Sequence, residues 1–121
     1  MKILVADDSR VMRQIVIRTL RQAGYAGHDI VEAENGRHAL DLVHSEAPDL
    51  VLSDWNMPEM NGIDLLAALR ASGSSIPFGF VTSEGSADMR ARAEAGGALF
   101  LIAKPFTPEA FDEALAPVLK G

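Results

Sequence analysis

Four short polar features each stand where an apolar run of the chain gives out. Asp7-Asp8 follows the run ending at Ala6, Asp54 follows Leu50-Val51-Leu52, Thr82 follows the run from Pro77, and Lys104 follows Leu99 to Ala103. If those runs are parallel strands, their ends lie on one sheet edge, the edge at which open α/β sheets bind ligands. Three carboxylates, a hydroxyl and an ammonium would then converge. Two like charges about 4 Å apart repel by roughly 4 kcal/mol at an effective dielectric of about 20, so clustered carboxylates require a cation or a raised pKa. All-oxygen ligation by a few carboxylates, with waters kept, suits Mg2+. Three aspartates, one Mg2+ and the Lys104 ammonium sum to zero charge, and such a site can accept a phosphoryl group. Taken singly, each residue has a plainer use: Asp-Asp as a helix cap and dipole partner, Asp54 as a turn former before Pro58, Thr82 as a strand end. Their joint occurrence at four strand ends is what points to chemistry.

The elements that must position them follow from periodicity and capping signals. Residues 2–6 read as a strand buried on both faces, and Ser9 caps a helix with Met12, Ile15, Val16, Thr19 and Ala23 inward and Gly24 at its end. Residues 29–33 make a second strand, and Asn35-Gly36 turns into a helix carrying Ala39, Leu40 and Val43, with Pro48 beyond it. Leu50 to Leu52 is the third strand; the turn-rich stretch from Asp54 to Gly62 leads to a helix with Leu65, Leu66 and Leu69 inward that stops near Gly73. A fourth strand, residues 77–82, is weakened by Gly79, and the helix from Ser86 to Ala95 has Met89 as its one large apolar residue. Leu99 to Ala103 is the fifth strand, and Thr107-Pro108-Glu109 starts a helix seated by Phe111, Leu115, Val118 and Leu119. The expected fold is α/β, a doubly wound five-stranded parallel sheet of order 2-1-3-4-5 with five helices, and residues 1–121 read as one domain.

Composition narrows the function. With 48% hydrophobic and 23% charged residues the chain can bury a core and is not a disordered regulator. It has no cysteine, which removes disulfides, thiolate metal sites and a Cys nucleophile and fits a reducing compartment, so a cytoplasmic location is expected. No apolar run is long enough for a membrane span, and no secretory cleavage pattern follows the first strand. A net charge of −6 opposes the counterion release that drives nucleic-acid binding, so no direct nucleic-acid contact is expected. His28, His38 and His44 lack a metal-ligand arrangement and are expected to be solvated.

Asp7-Asp8, Asp54 in Asp-Trp-Asn-Met-Pro, Thr82-Ser83 and Lys104-Pro105-Phe106, in this order and at this spacing across nearly the whole chain, resemble the response regulator receiver domain, most closely its stand-alone chemotaxis-type members. The resemblance implies that Asp54 is the phosphoacceptor, with Thr82 and Lys104 holding the phosphoryl oxygens. It implies Mg2+ on Asp8, Asp54 and the backbone carbonyl of Asn56, with Asp7 acting through a water. A sensor histidine kinase would supply the phosphoryl group, and a downstream protein would read the change in a monomeric, phosphorylation-controlled switch. Asn56 and Glu84, two positions after Asp54 and Thr82, would tune self-dephosphorylation.

Trp55, Met57 and Met60 carry no chemical assignment. The family's usual aromatic three positions before the lysine is Leu101 here, and adjacent Phe100 points to the opposite face of its strand. The usual coupling of that ring to the threonine is therefore replaced, and displacement of the fourth helix and its loop is expected to dominate switching. Leu99 and Phe100 are expected to add core, with an exposed partner patch as the alternative. The competing classes are an aspartyl-phosphate hydrolase, which needs two aspartates one residue apart after the first strand and usually a cap domain, and a pseudo-receiver that only docks partners. A receiver cut from a longer regulator remains an alternative setting for the same chemistry.

Overall fold

The computed structural model describes residues 1–119; the last two residues of the expected 1–121 domain lie outside the described residues. Strands and helices alternate: β1 Lys2–Ala6, α1 Arg10–Leu20, β2 Asp29–Ala33, α2 Gly36–Glu46, β3 Leu50–Ser53, α3 Gly62–Ala71, β4 Phe78–Thr82, α4 Ala87–Ala95, β5 Phe100–Ala103 and α5 Pro108–Leu119. The five strands form one parallel sheet in the order β2-β1-β3-β4-β5, as expected. The chain leaves β1 toward β2 and resumes at β3 on the other side of β1, so the strand order reverses beside β1 and opens a crevice at the carboxyl ends of β1 and β3.

Local chemistry starts every helix. Ser9, Asn35, Asn61 and Ser86 each accept from the N–H three residues on, at 3.2, 2.8, 2.9 and 3.1 Å, and Thr107 Oγ1 does the same for Ala110 at 3.1 Å. Helices cover both sheet faces, which is why strands β1, β3 and β4 are near-continuous apolar runs rather than alternating ones. One core layer joins Leu4, Val51, Phe78 and Phe80 to Leu65, Leu66 and Leu69 of α3 and Met89 of α4. The other joins Ile3, Val5, Leu50, Leu52 and Val81 to α1 and to Phe111 and Leu115 of α5.

Several expectations are corrected. The buried arc of α1 is Val16, Ile17, Thr19 and Leu20, with Met12, Ile15 and Ala23 only half-buried, because α5 flanks α1 and widens the covered face. Gly24, by contrast, ends the helical run as expected: its φ of 103 is left-handed and breaks the helical path there. Gly79 is a fitted position rather than a weakness. It pairs with Phe100 across β4 and β5, and a Cβ there would collide with the Phe100 ring. Leu99 is not core: it precedes β5 and is 57% exposed, while Phe100 is half-buried against the α1/α5 layer. Val118 and Leu119 are half-buried too. His28 is partly covered rather than solvated, its ring 5.7 Å from that of Tyr25, because it is pinned at the entry to β2. No helix is long and apolar enough to cross a membrane among the described residues.

Candidate functional site

The crevice gathers Asp7, Asp8, Asp54 and Lys104 from the strand ends. Carboxylate oxygens of Asp7, Asp8 and Asp54 all lie within 4.8 Å of one another, the first buried, the second exposed and the third between. Asp7 continues β1, its N–H bonded to the Ala33 carbonyl at 3.1 Å, and its two oxygens are divided. One accepts from the Ser9 N–H at 2.9 Å, while the other faces Lys104 Nζ at 3.4 Å. Arg13, one turn into α1, donates to the Asp7 carbonyl at 2.7 Å and pairs with Glu32 at 3.0 Å, which fixes the end of β1 against β2. The cap of α1 is Ser9, so Asp8 is free of that duty.

Asp54 is anchored on every side. Its N–H donates to the Ala6 carbonyl at 2.8 Å, and its carbonyl accepts from the buried Ser53 hydroxyl at 2.8 Å. Its Oδ1 accepts from the Trp55 N–H at 2.8 Å and lies 4.0 Å from Lys104 Nζ. The loop returns so that Gly62 N–H bonds the Trp55 carbonyl at 2.7 Å, and a Cβ on Gly62 would collide with the Asp54 carbonyl and the Phe80 ring. Glycine is required there by close approach, not only by the turn. Burial pushes the Asp54 carboxyl above the ordinary carboxylate range, the Asp7 charge adds to the rise, and Lys104 and the Trp55 N–H oppose it.

Thr82 ends β4 fully buried; its carbonyl accepts from the Lys104 N–H at 2.7 Å and its Oγ1 accepts from the Glu84 N–H at 3.4 Å. Its backbone thus registers it beside the lysine. Asn56 and Glu84 are exposed, and Asp8, Asn56, Met57, Pro58 and Asn61 line an open hollow beside the carboxylates. Leu101 packs toward the α3/α4 layer and Phe100 toward the opposite one, as the strand alternation requires.

Sequence reading missed three supports. Ser53 and Arg13 had a signal in their position, one residue before Asp54 and four after the capping serine. Arg92, whose guanidinium lies 5.4 Å from the Trp55 ring centroid, had none, because the contact joins distant segments.

Residues 3–116 match the response regulator receiver domain family. The chain is 43% identical to chemotaxis protein CheY1 of Helicobacter pylori, covering 98% of this chain and 97% of that protein. It is 38% identical to chemotaxis protein CheY of Pseudomonas aeruginosa, over 99% and 97% of the two chains. Among solved structures, Vibrio cholerae CheY4 superimposes with a TM-score of 0.84 at 36% identity over 98% of each chain. The receiver domain of the Mycobacterium tuberculosis NarL regulator gives 0.87 at 28% identity, over 99% of this chain and 96% of that one. With a sheet order, a strand-end cluster and a nearly full-length match in agreement, the chain belongs to the response regulator receiver domains, the signalling switches of phosphorelays.

Proposed function

We propose that this chain takes a phosphoryl group from a sensor histidine kinase onto Asp54, with Mg2+ as cofactor, and thereby changes its binding to a downstream protein in a chemotaxis-type pathway. The observation that carries the reading is the convergence of Asp54 with Asp7, Asp8 and Lys104 at one strand edge. An Asp54 carboxylate oxygen attacks phosphorus, the bond from phosphorus to the donor histidine nitrogen breaks, and its electron pair leaves with the imidazole. Lys104 and the Thr82 hydroxyl take up the charge on the phosphoryl oxygens; the lysine, already shared between Asp7 and Asp54, needs only a small shift toward the new charge.

The donor set fits a hard divalent cation: three carboxylates with oxygens within 4.8 Å, one of them reaching an open hollow. Asp8, Asp54 and the Asn56 carbonyl would hold Mg2+, with Asp7 through a water. Bound there, the ion supplies neutralisation of negative charge on donor and acceptor oxygens. A phosphomonoesterase role is disfavoured because the two aspartates after β1 are adjacent rather than one residue apart.

In the switched state α4 and the loop before it move, since α4 buries only Met89 and Ala93 and belongs to the weakly held part of the structure. The chain acts as a monomer in the cytoplasm, with residues 1–121 as a single receiver domain. Labelling with radioactive acetyl phosphate tests the chemistry: uptake is expected with Mg2+, and none after chelation or in Asp54→Asn. Undiminished labelling of that variant overturns the assignment.

A further inference from the structure

Three arginines add polar and cation–ring contacts to the two residues, Met89 and Ala93, that α4 buries. Arg70 of α3 donates to the Gly97 carbonyl just beyond the helix at 3.1 Å. Arg90 donates to the Gly85 carbonyl at 3.2 Å and to the Leu101 carbonyl at 3.3 Å, tying the helix to its own entry loop and to β5. Arg92 alone among these reaches the acceptor loop, laying its guanidinium over the Trp55 ring, 5.4 Å from the centroid. That ring is buried and packs on Phe80 with centroids 4.8 Å apart, while the Trp55 N–H is bonded to the Asp54 carboxylate. Trp55 therefore touches the acceptor through its backbone, the core through one side of its ring and α4 through the cation. Arg92 itself is exposed, and a cation at the water boundary makes a weak, reversible contact of this kind.

We infer that Arg92 is a positioning residue whose contact with the Trp55 ring latches α4 to the acceptor loop. Leu101, packed against the same core layer, offers no aromatic ring for the purpose, and Trp55 does. At an exposed site a cation over an aromatic face favours the closed arrangement by about two- to fivefold. Linkage then fixes the consequence: an event that displaces α4 works against this factor, and releasing the latch eases that event by the same factor. The latch stands on geometry alone, whereas its coupling to phosphorylation rests on Asp54 being the acceptor.

Hydrogen exchange of the α4 amides in the unphosphorylated full chain, together with emission from Trp55, the only tryptophan, tests the latch directly. Arg92→Gln and Arg92→Ala should raise exchange in α4 by about two- to fivefold and shift the emission, and Arg92→Lys, which keeps a cation, should restore both. In a Trp55→Leu background Arg92→Ala should add nothing further. Wild-type exchange in Arg92→Gln, equal behaviour of the Gln and Lys variants, or an undiminished Arg92→Ala effect without the tryptophan would each overturn the latch. Should Trp55→Leu not fold, the Lys and Gln comparison decides. At limiting acetyl phosphate, Arg92→Gln should also label more readily than wild type, because the event that displaces α4 no longer works against the latch. Loosened α4 with unchanged labelling would refute the coupling. Continued labelling of Asp54→Asn would refute the acceptor assignment while leaving the latch standing.

Discussion

Replacing Asp54 by Asn removes one charge from a cluster that holds too many of them in the absence of metal. At an effective dielectric of about 20, charges 4.8 Å apart repel by about 3.5 kcal/mol, and Lys104 at 4.0 Å attracts Asp54 by about 4 kcal/mol. The lysine thus offsets Asp7. What remains is the repulsion from Asp8, which is exposed and so screened to about 1 kcal/mol, and the cost of keeping a carboxylate largely out of water. Asparagine keeps the oxygen that accepts from the Trp55 N–H, and Lys104 keeps Asp7 at 3.4 Å, so no buried group is orphaned. The variant should therefore gain about 1–2 kcal/mol without metal at neutral pH, a rise of about 4–8 °C in melting temperature. The pH dependence has a definite sign. A carboxyl whose folded pKa is raised contributes stability that is full below its unfolded pKa and is lost as pH climbs through the folded value. Wild type and variant should melt together in acid and diverge as pH rises, and Mg2+ should then stabilise the wild type more. Thermal melts across pH, with and without Mg2+, check this. A variant that melts below wild type at neutral pH without metal, or a gap that does not change with pH, would refute the reasoning.

Other perturbations separate the site from its scaffold. Asp8→Ala should leave metal-free stability unchanged or slightly raised, because Ser9 caps α1, while abolishing most of the stabilisation by Mg2+, as paired melts would show. Tyr25→Phe removes the hydroxyl that donates to Asp112 at 2.9 Å and should cost about 1–2 kcal/mol at neutral pH in denaturant titrations. Burial and Asp112 push the Tyr25 hydroxyl up to about 12, so the wild type's advantage should be full below pH 10 and fade as pH rises toward that value. The phosphorylated wild type should lose its label within about minutes, and bulkier or oppositely charged residues at exposed Asn56 and Glu84 should lengthen that time in a pulse-chase, tenfold corresponding to about 1.4 kcal/mol in the barrier.

What the sequence revealed was what local chemistry encodes. Caps at Ser9, Asn35 and Thr107, together with buried strands ended by charge, placed the elements and brought Asp7, Asp8, Asp54 and Lys104 to one edge. What it hid depends on partners far along the chain. Whether Leu99 faces core or water, why Gly79 must lack a side chain and which face of α1 is covered are decided by Phe100 and α5, and periodicity within one segment cannot report them. The same holds inside the site. The aspartates were legible as an acidic cluster, but the support of Asp54 by Ser53, the clamp of Arg13 on Asp7 and the cation of Arg92 over Trp55 arise only when the loops meet.

Reductive trapping of the protein after brief exposure to acetyl phosphate and Mg2+, followed by peptide mass spectrometry, tests the central claim most directly. Borohydride converts an aspartyl-phosphate to homoserine, which marks the acceptor permanently. The account predicts homoserine at residue 54 alone, dependent on Mg2+ and on Lys104. Conversion at Asp7 or Asp8 with Asp54 intact, or no conversion while the protein remains folded and binds Mg2+, would contradict it.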